Sequence, residues 1–101
     1  MLIGVPSEIK AQESRVGLTP KSVLELTNHG HEVIIQDNAG IGAGFENNDY
    51  KNAGAKISKN VSDIFNDAEM IVKVKEPLAN EVEMLKENQI LFTYLHLSAA
   101  P

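Results

Sequence analysis

Four side chains with anion-binding or proton-transfer chemistry stand at the ends of predicted strands or in the long loop, residues 7–17, after the first of them: Arg15, Lys73, Lys75 and His96. Because the carboxyl ends of parallel strands meet at one edge of a sheet, we expect Arg15, Lys75 and His96 to converge there. A guanidinium offers a fork for a carboxylate, an ammonium a point charge for a second oxygen, and an imidazole a proton exchanger near neutral pH. The set predicts a site for a small oxo acid, hydroxy acid or amino acid.

The two lysines lie at the C-terminal end of an apolar segment, residues 70–74, whose composition is typical of a strand buried on both faces. A period of two puts Lys73 and Lys75 on the same side, and Pro77 ends the strand. Lysines at such a strand end bind an anion or extend their ammonium groups to solvent. We favour solvent for Lys73 and function for Lys75. A lone histidine here is more often structural, so the hypothesis for His96 depends on its convergence with the cations.

Apolar patterning and turn residues place helices between the strands. Strands are predicted over residues 2–5, 31–36, 55–57, 70–75 and 89–96. A first helix is predicted over 20–29, with Thr19 as its N-cap and Gly30 as a left-handed stop. The inward side chains of that helix are predicted to be Val23, Leu24 and Leu26.

Two more helices complete the alternation. Asn60 is predicted to cap a short helix, and another follows Pro77 to about Lys86. Their predicted inward positions are Val61, Ile64 and Phe65 in the first and Leu78, Val82 and Leu85 in the second, whose solvated outer face carries Glu81, Glu83 and Glu87. The predicted fold class is doubly wound α/β, a mostly parallel, flavodoxin- or Rossmann-like sheet of about five strands.

The glycine-rich segment Gly40-Ile-Gly42-Ala-Gly44 invites comparison with the dinucleotide-binding fingerprint. The spacing fails, because the third glycine position falls on Phe45 or Asn47, according to which glycine starts the pattern. The helix that follows is also too short. We therefore favour a flexible surface loop and expect no cofactor-binding residue here.

Composition limits the class of protein. The 101 residues form one modest domain at most, and 43% apolar residues are ordinary for a globular protein. A net charge of −5 with no tryptophan argues against nucleic-acid binding. No apolar run approaches the roughly 20 residues that span a bilayer. The absence of cysteine and of a signal-peptide pattern favours the cytoplasm, and we predict no metal site.

Five motifs together carry a resemblance: Gly4-Val-Pro6-x-Glu8, Glu13-x-Arg15-Val with Thr19-Pro20, Gly30-His31-Glu-Val33, Lys73-Val-Lys75-Glu-Pro77 and Phe92-Thr-Tyr-Leu-His96. Over its whole length the chain resembles the N-terminal part of the alanine dehydrogenases, with the lysine and histidine motifs as the specific elements. It is similar, less closely, to the corresponding part of the proton-translocating nicotinamide nucleotide transhydrogenases. Those proteins typically lack the second lysine and the histidine.

The resemblance implies NAD-dependent oxidative deamination of L-alanine to pyruvate and ammonium, and the reverse amination. By position, Arg15 would hold the substrate carboxylate, Lys75 would bind and polarise the substrate, and His96 would be the general acid and base. Residues 1–101 would form the N-terminal part of the substrate domain, with the NAD-binding domain outside this chain. We expect this fragment alone to be inactive and to expose apolar surface, and the full-length protein to be a homo-oligomer.

Two alternatives stay open. One is the substrate-side domain of a transhydrogenase- or saccharopine-dehydrogenase-like protein, which would offer a different ligand to the same sheet edge. The other is a non-catalytic α/β module that binds a small carboxylate or a protein partner, in which the lysines and the histidine serve solubility.

Overall fold

The computed structural model describes residues 1–8, 15–75, 77 and 79–94. Strands and helices alternate along this part of the chain. They are β1 (Leu2–Val5), α1 (Pro20–Asn28), β2 (Glu32–Gln36), α2 (Asn47–Asn52), β3 (Lys56–Ser58), α3 (Val61–Asp67), β4 (Met70–Lys73), α4 (Ala79–Val82) and β5 (Ile90–Thr93). A 3-10 turn, Ile41–Ala43, precedes α2.

The five strands form one sheet in the order β3-β2-β1-β4-β5, and every neighbouring pair is parallel. β1 is therefore the central strand, paired with β2 from Leu2 to Val5 and with β4 only at Ile3 and Gly4. The predicted parallel α/β sheet is confirmed. The strand order reverses direction between β1 and β4, which is the point where open α/β sheets form a crevice at their carboxyl edge.

Each face of the sheet carries its own apolar cluster. One cluster packs residues of α1 and α2 against the sheet around Val23 and Tyr50. The other packs Ile64 and Phe65 of α3 against Ile71 of β4. Because helices lie on both faces, the sheet is doubly wound, as predicted.

The predicted caps and stops are confirmed. The Thr19 side chain accepts a hydrogen bond from the Ser22 N–H at 3.2 Å, and the Asn60 side chain accepts one from the Ser62 N–H at 3.0 Å. Gly30 has a φ of 90°, the left-handed conformation that ends a helix most easily at glycine. Within the described ranges, no helix is long and apolar enough to cross a membrane.

Two inward positions were predicted wrongly. Leu24 is 46% exposed, because the narrow face that α1 turns to the sheet is taken by Val23 and Leu26. Val82 is 52% exposed, because α4 ends there instead of continuing to about Lys86.

The turn that follows α4 brings Met84 and Leu85 against the α3 cluster, so they do the packing that was expected of a longer helix. Leu78, the other predicted inward position, lies outside the described residues.

Strand β5 is not buried, although its residues are mostly apolar. β5 is an edge strand, and Ile90, Leu91 and Phe92 are all exposed. Apolar side chains of β1, β4, β5 and α1 line a groove of about 410 Å³ on the same face as α1. The expectation of exposed apolar surface is confirmed at this edge.

Tyr50 is the largest fully buried side chain and organises the glycine-rich segment. Its hydroxyl donates to the Leu18 carbonyl at 2.7 Å, and its ring meets Phe45 edge-on. A Cβ on Gly40 would lie 2.6 Å from a Tyr50 ring carbon, so this glycine is required by aromatic packing. The residues after it, 41–44, are at the surface, as expected of a surface loop.

Tyr50 should make the fold sensitive to alkali. Burial, and then the nearby charge of Asp49, raises the pKa of Tyr50 to about 12. A raised phenol pKa stabilises the fold fully below the unfolded value of about 10, and this stability is lost as pH rises between those two values, about 1.4 kcal/mol per unit. In urea denaturation, the difference in free energy of unfolding between wild type and Tyr50→Phe should therefore be about 1.4 kcal/mol smaller near pH 11 than near pH 8.

Tyr94→Phe is the control for this comparison, because it removes a phenol but keeps Tyr50. It should retain the alkaline loss that Tyr50 causes. A gap between wild type and Tyr50→Phe that is unchanged from pH 8 to pH 11 would contradict the assignment.

Candidate functional site

The candidate site is the carboxyl edge of the sheet where β1 and β4 diverge. Glu8 follows β1, and Lys73 and Lys75 lie at the end of β4. Crevices of this kind bind ligands because the loops after the two strands leave toward opposite faces. The charged residues of both loops therefore face one space.

Lys73 is buried, with 1% of its side chain exposed, and it makes two ion pairs. Its Nζ lies 3.3 Å from an oxygen of Glu8 and 3.3 Å from an oxygen of Glu81, and both carboxylates are buried as well. Two predictions were wrong here. Lys73 does not extend to solvent, and Glu81 does not lie on a solvated helix face.

The physical reason is that a lysine within a buried strand needs compensating charge, and carboxylates from two neighbouring segments supply it. Glu8 reaches Lys73 from the loop after β1, and Glu81 reaches it from α4. Lys73, which made this apolar strand unusual in the sequence, is thus buried together with the strand through its ion pairs.

Lys75 differs from Lys73 because it lies beyond the end of β4 and is only half-buried. Its backbone N–H donates to Glu8 Oε1 at 3.2 Å, and the Val74 N–H donates to Glu8 Oε2 at 2.9 Å. The backbone that carries Lys75 is therefore held by a buried carboxylate, while its side chain starts from the rim of the crevice.

Arg15 is exposed, and the residues after it are packed down on the same strand end. Val16 is buried in the core. Gly17 sits so close to β4 that a Cβ on it would be 2.5 Å from the Val72 carbonyl oxygen. The structure therefore brings the Arg15 segment to the end of β4, next to the segment that carries Lys75.

Two tyrosines anchor this segment through consecutive carbonyls. The Tyr94 hydroxyl donates to the Gly17 carbonyl at 2.5 Å, and the Tyr50 hydroxyl donates to the Leu18 carbonyl at 2.7 Å. The anchors come from the end of β5 and from α2, on either side of the segment. Neither contact was predicted, since hydroxyl-to-backbone bonds across long sequence separations leave no local pattern.

His96, the third predicted site residue, lies outside the described residues. The chain is described up to Tyr94, whose N–H donates to the carbonyls of Lys73 and Val74 at 3.3 and 3.2 Å. The end of β5 thus runs beside the end of β4.

Glu8 and Glu81 are the charged residues whose contacts the sequence interpretation missed. One signal could have found them, because a lysine inside an apolar strand requires a buried acidic partner. Among the described residues, no group of three or more His, Cys, Asp and Glu side chains is arranged to hold a metal ion. The described edge therefore carries Lys73 paired with two carboxylates, with the cationic residues Arg15 and Lys75 nearer the surface.

Comparison with known proteins agrees with these observations. The sequence model of the family described as "Alanine dehydrogenase/PNT, N-terminal domain" matches residues 4–101. The chain is 50% identical over its full length to an alanine dehydrogenase of Bacillus subtilis and covers 26% of that protein. It is 52% identical over its full length to an alanine dehydrogenase of Methanococcus maripaludis and covers 27% of it.

Solved structures show the same relation. An L-alanine dehydrogenase structure matches with a TM-score of 0.92 and 55% identity, over 99% of this chain and 27% of that one. A transhydrogenase from Sinorhizobium meliloti matches with a TM-score of 0.86 and 26% identity, over 92% of this chain and 27% of that one. The chain spans about a quarter of the length of the relatives it matches.

The buried ion pairs predict that Lys73 matters for stability. Lys73→Met leaves two buried carboxylates without their cation, so the free energy of unfolding should fall by about 3–5 kcal/mol, as measured by urea denaturation. The matched control is Lys59→Met at an exposed position, where a change within about 0.5 kcal/mol is expected. Equal losses for the two variants would show that the ion pairs contribute nothing.

Proposed function

The chain belongs to the family of alanine dehydrogenase and PNT N-terminal domains, and on this premise we propose that it is the N-terminal part of the substrate domain of an NAD-dependent L-alanine dehydrogenase. The reaction converts L-alanine, NAD and water to pyruvate, ammonium and NADH. The observation that carries the proposal is identity of about half the residues, over the whole chain, to proteins named alanine dehydrogenase. Identity to the transhydrogenase is about half as high.

The proposed substrate contacts follow from side-chain chemistry at the crevice. Arg15 is exposed beside the end of β4, and a guanidinium has the geometry to bind the two oxygens of a substrate carboxylate. Lys75 starts from a fixed backbone at the crevice rim, so its ammonium can bind and polarise the carbonyl or imine at the reacting carbon. Both contacts suit pyruvate and alanine, which share a carboxylate.

In this proposal His96 is the general acid and base. Neutral imidazole takes a proton as the carbinolamine forms and collapses, and imidazolium returns it in the amination direction. NAD, held by a second domain outside this chain, supplies the hydride acceptor. The 101 residues alone are then expected to be inactive.

The cellular setting is part of the same proposal. A net charge of −5 and the absence of cysteine suit an enzyme of the cytoplasm that acts on small molecules rather than on nucleic acid or a membrane. The complete enzyme is proposed to be a homo-oligomer.

The test uses a chimera in which this chain replaces the matching segment of the Bacillus subtilis relative, half of which it already shares. The measurement is alanine-dependent reduction of NAD, with the unaltered relative as reference. Activity within about tenfold of the reference supports the proposal. A folded chimera that binds NADH but neither oxidises alanine nor aminates pyruvate would instead favour the non-catalytic binding module.

Lys75 is predicted to act in catalysis. Lys75→Ala in the active chimera should lower kcat/KM for alanine by at least about 100-fold, the scale of losing one preorganised electrostatic group. Its control is Lys59→Ala, a lysine exposed at the surface after β3, which should leave kcat/KM unchanged. A loss at Lys75 that is no larger than at Lys59 would refute the role.

Arg15 is predicted to hold the substrate carboxylate. Arg15→Ala should weaken pyruvate binding while leaving NADH binding unchanged, because the proposed contact of the guanidinium is with the substrate carboxylate and not with the cofactor. Arg15→Lys should not restore affinity, since an ammonium cannot reproduce a two-pronged fork. Titration of the chimera variants with each ligand decides this. Selective loss of NADH affinity would contradict the assignment.

A further inference from the structure

Glu8 holds the end of β4 in an unusual way. Its carboxylate accepts hydrogen bonds from two consecutive backbone N–H groups, those of Val74 and Lys75, at 2.9 and 3.2 Å. The same carboxylate lies 3.3 Å from Nζ of Lys73. Only 3% of the Glu8 side chain is exposed.

The hydrogen bonds to Glu8 begin beyond the point where β1 stops pairing with β4. β1 pairs with β4 only at Gly4 with Ile71 and Ile3 with Met70, so the pairing on that side ends before Lys73. Beyond that point the Glu8 carboxylate accepts the N–H groups of residues 74 and 75. A side chain from the β1 loop thus replaces a strand neighbour.

The other side of the same backbone is also fixed. The Tyr94 N–H donates to the carbonyls of Lys73 and Val74. The peptide groups 73–74 and 74–75 are therefore each held on one side by Glu8 and on the other by Tyr94. The bonds to Glu8 thus help to set the direction in which the Lys75 side chain leaves the backbone.

We propose that Glu8 is a positioning residue that aims the Lys75 ammonium into the crevice. This rests on the proposed function, in which Lys75 contacts the substrate. Glu8 itself need not touch the substrate, because its carboxylate is occupied by Lys73 and two N–H groups. A displacement of the reacting geometry by about 1 Å can cost about 100-fold in rate.

The decisive variant is Glu8→Gln in the chimera, since the amide keeps the size of the side chain but sets an NH2 group among donors. We expect kcat for alanine to fall by about 10- to 100-fold, with a smaller change in KM. Glu8→Asp should not restore kcat, because the shorter side chain cannot span both N–H groups.

Glu81→Gln is the matched control. It removes the other buried carboxylate on Lys73, whereas the N–H groups of 74 and 75 stay with Glu8. If Glu8 serves only as a counter-ion, the two Gln variants should lose kcat equally, and that result would overturn the proposal. A selective loss for Glu8→Gln at equal thermal stability supports it.

A second measurement is independent of activity. In the 15N-labelled chain, amide exchange at Val74 and Lys75 should accelerate in Glu8→Gln but not in Glu81→Gln, with Ile71 unchanged as an internal reference. Unchanged protection at 74 and 75 would overturn the positioning role. If the wild-type chimera is inactive but Glu8→Gln still loses protection only at Val74 and Lys75, the proposed function is refuted. The hydrogen bonds of Glu8 to this backbone would then remain supported.

Discussion

The buried charge at the divergence of β1 and β4 is the constraint on which the candidate site depends. Lys73 occupies a position where an apolar side chain would complete the strand, and it requires carboxylates to be brought from elsewhere. Burying three charges is costly unless each is paired and hydrogen-bonded. Glu8 meets this condition by accepting from the lysine and from two backbone N–H groups at once. The loop after β1 is thereby tied to the end of β4.

The crevice is built from two anchored segments that differ in their bonds. The segment that carries Lys75 is held by charge, through a carboxylate on its N–H groups. The segment after Arg15 is held by neutral bonds, through tyrosine hydroxyls on the carbonyls of Gly17 and Leu18. In both cases the backbone is fixed and the cationic side chain is left at or near the surface. Both cationic residues are therefore carried by backbone whose position at the crevice is fixed.

Features set by nearby residues were predictable from the sequence, and features set by distant ones were not. Thr19 and Asn60 cap their helices through bonds two or three residues away, so a local pattern reveals them. One of the two partners of Lys73, Glu8, lies 65 residues away in the sequence, and no local pattern identifies it. Likewise the apolar sequence of β5 does not reveal that it is an edge strand, because the place of a strand within the sheet follows from strand order, which periodicity does not encode. Helix caps were therefore easier to predict than the long-range contacts at the crevice.

The central place of β1 has a consequence for the order of folding. β1 precedes both of its neighbours along this chain, β2 by one helix and β4 by three. Parallel neighbours cannot form by a hairpin, so the apolar residues of β1 wait unpaired until those crossovers close. The entropy of closing these long loops is lost before the strand pairs can stabilise the sheet, and this makes folding of such topologies slow. The same closure delivers Lys73 to Glu8, so the crevice can form only after β4 has been synthesised.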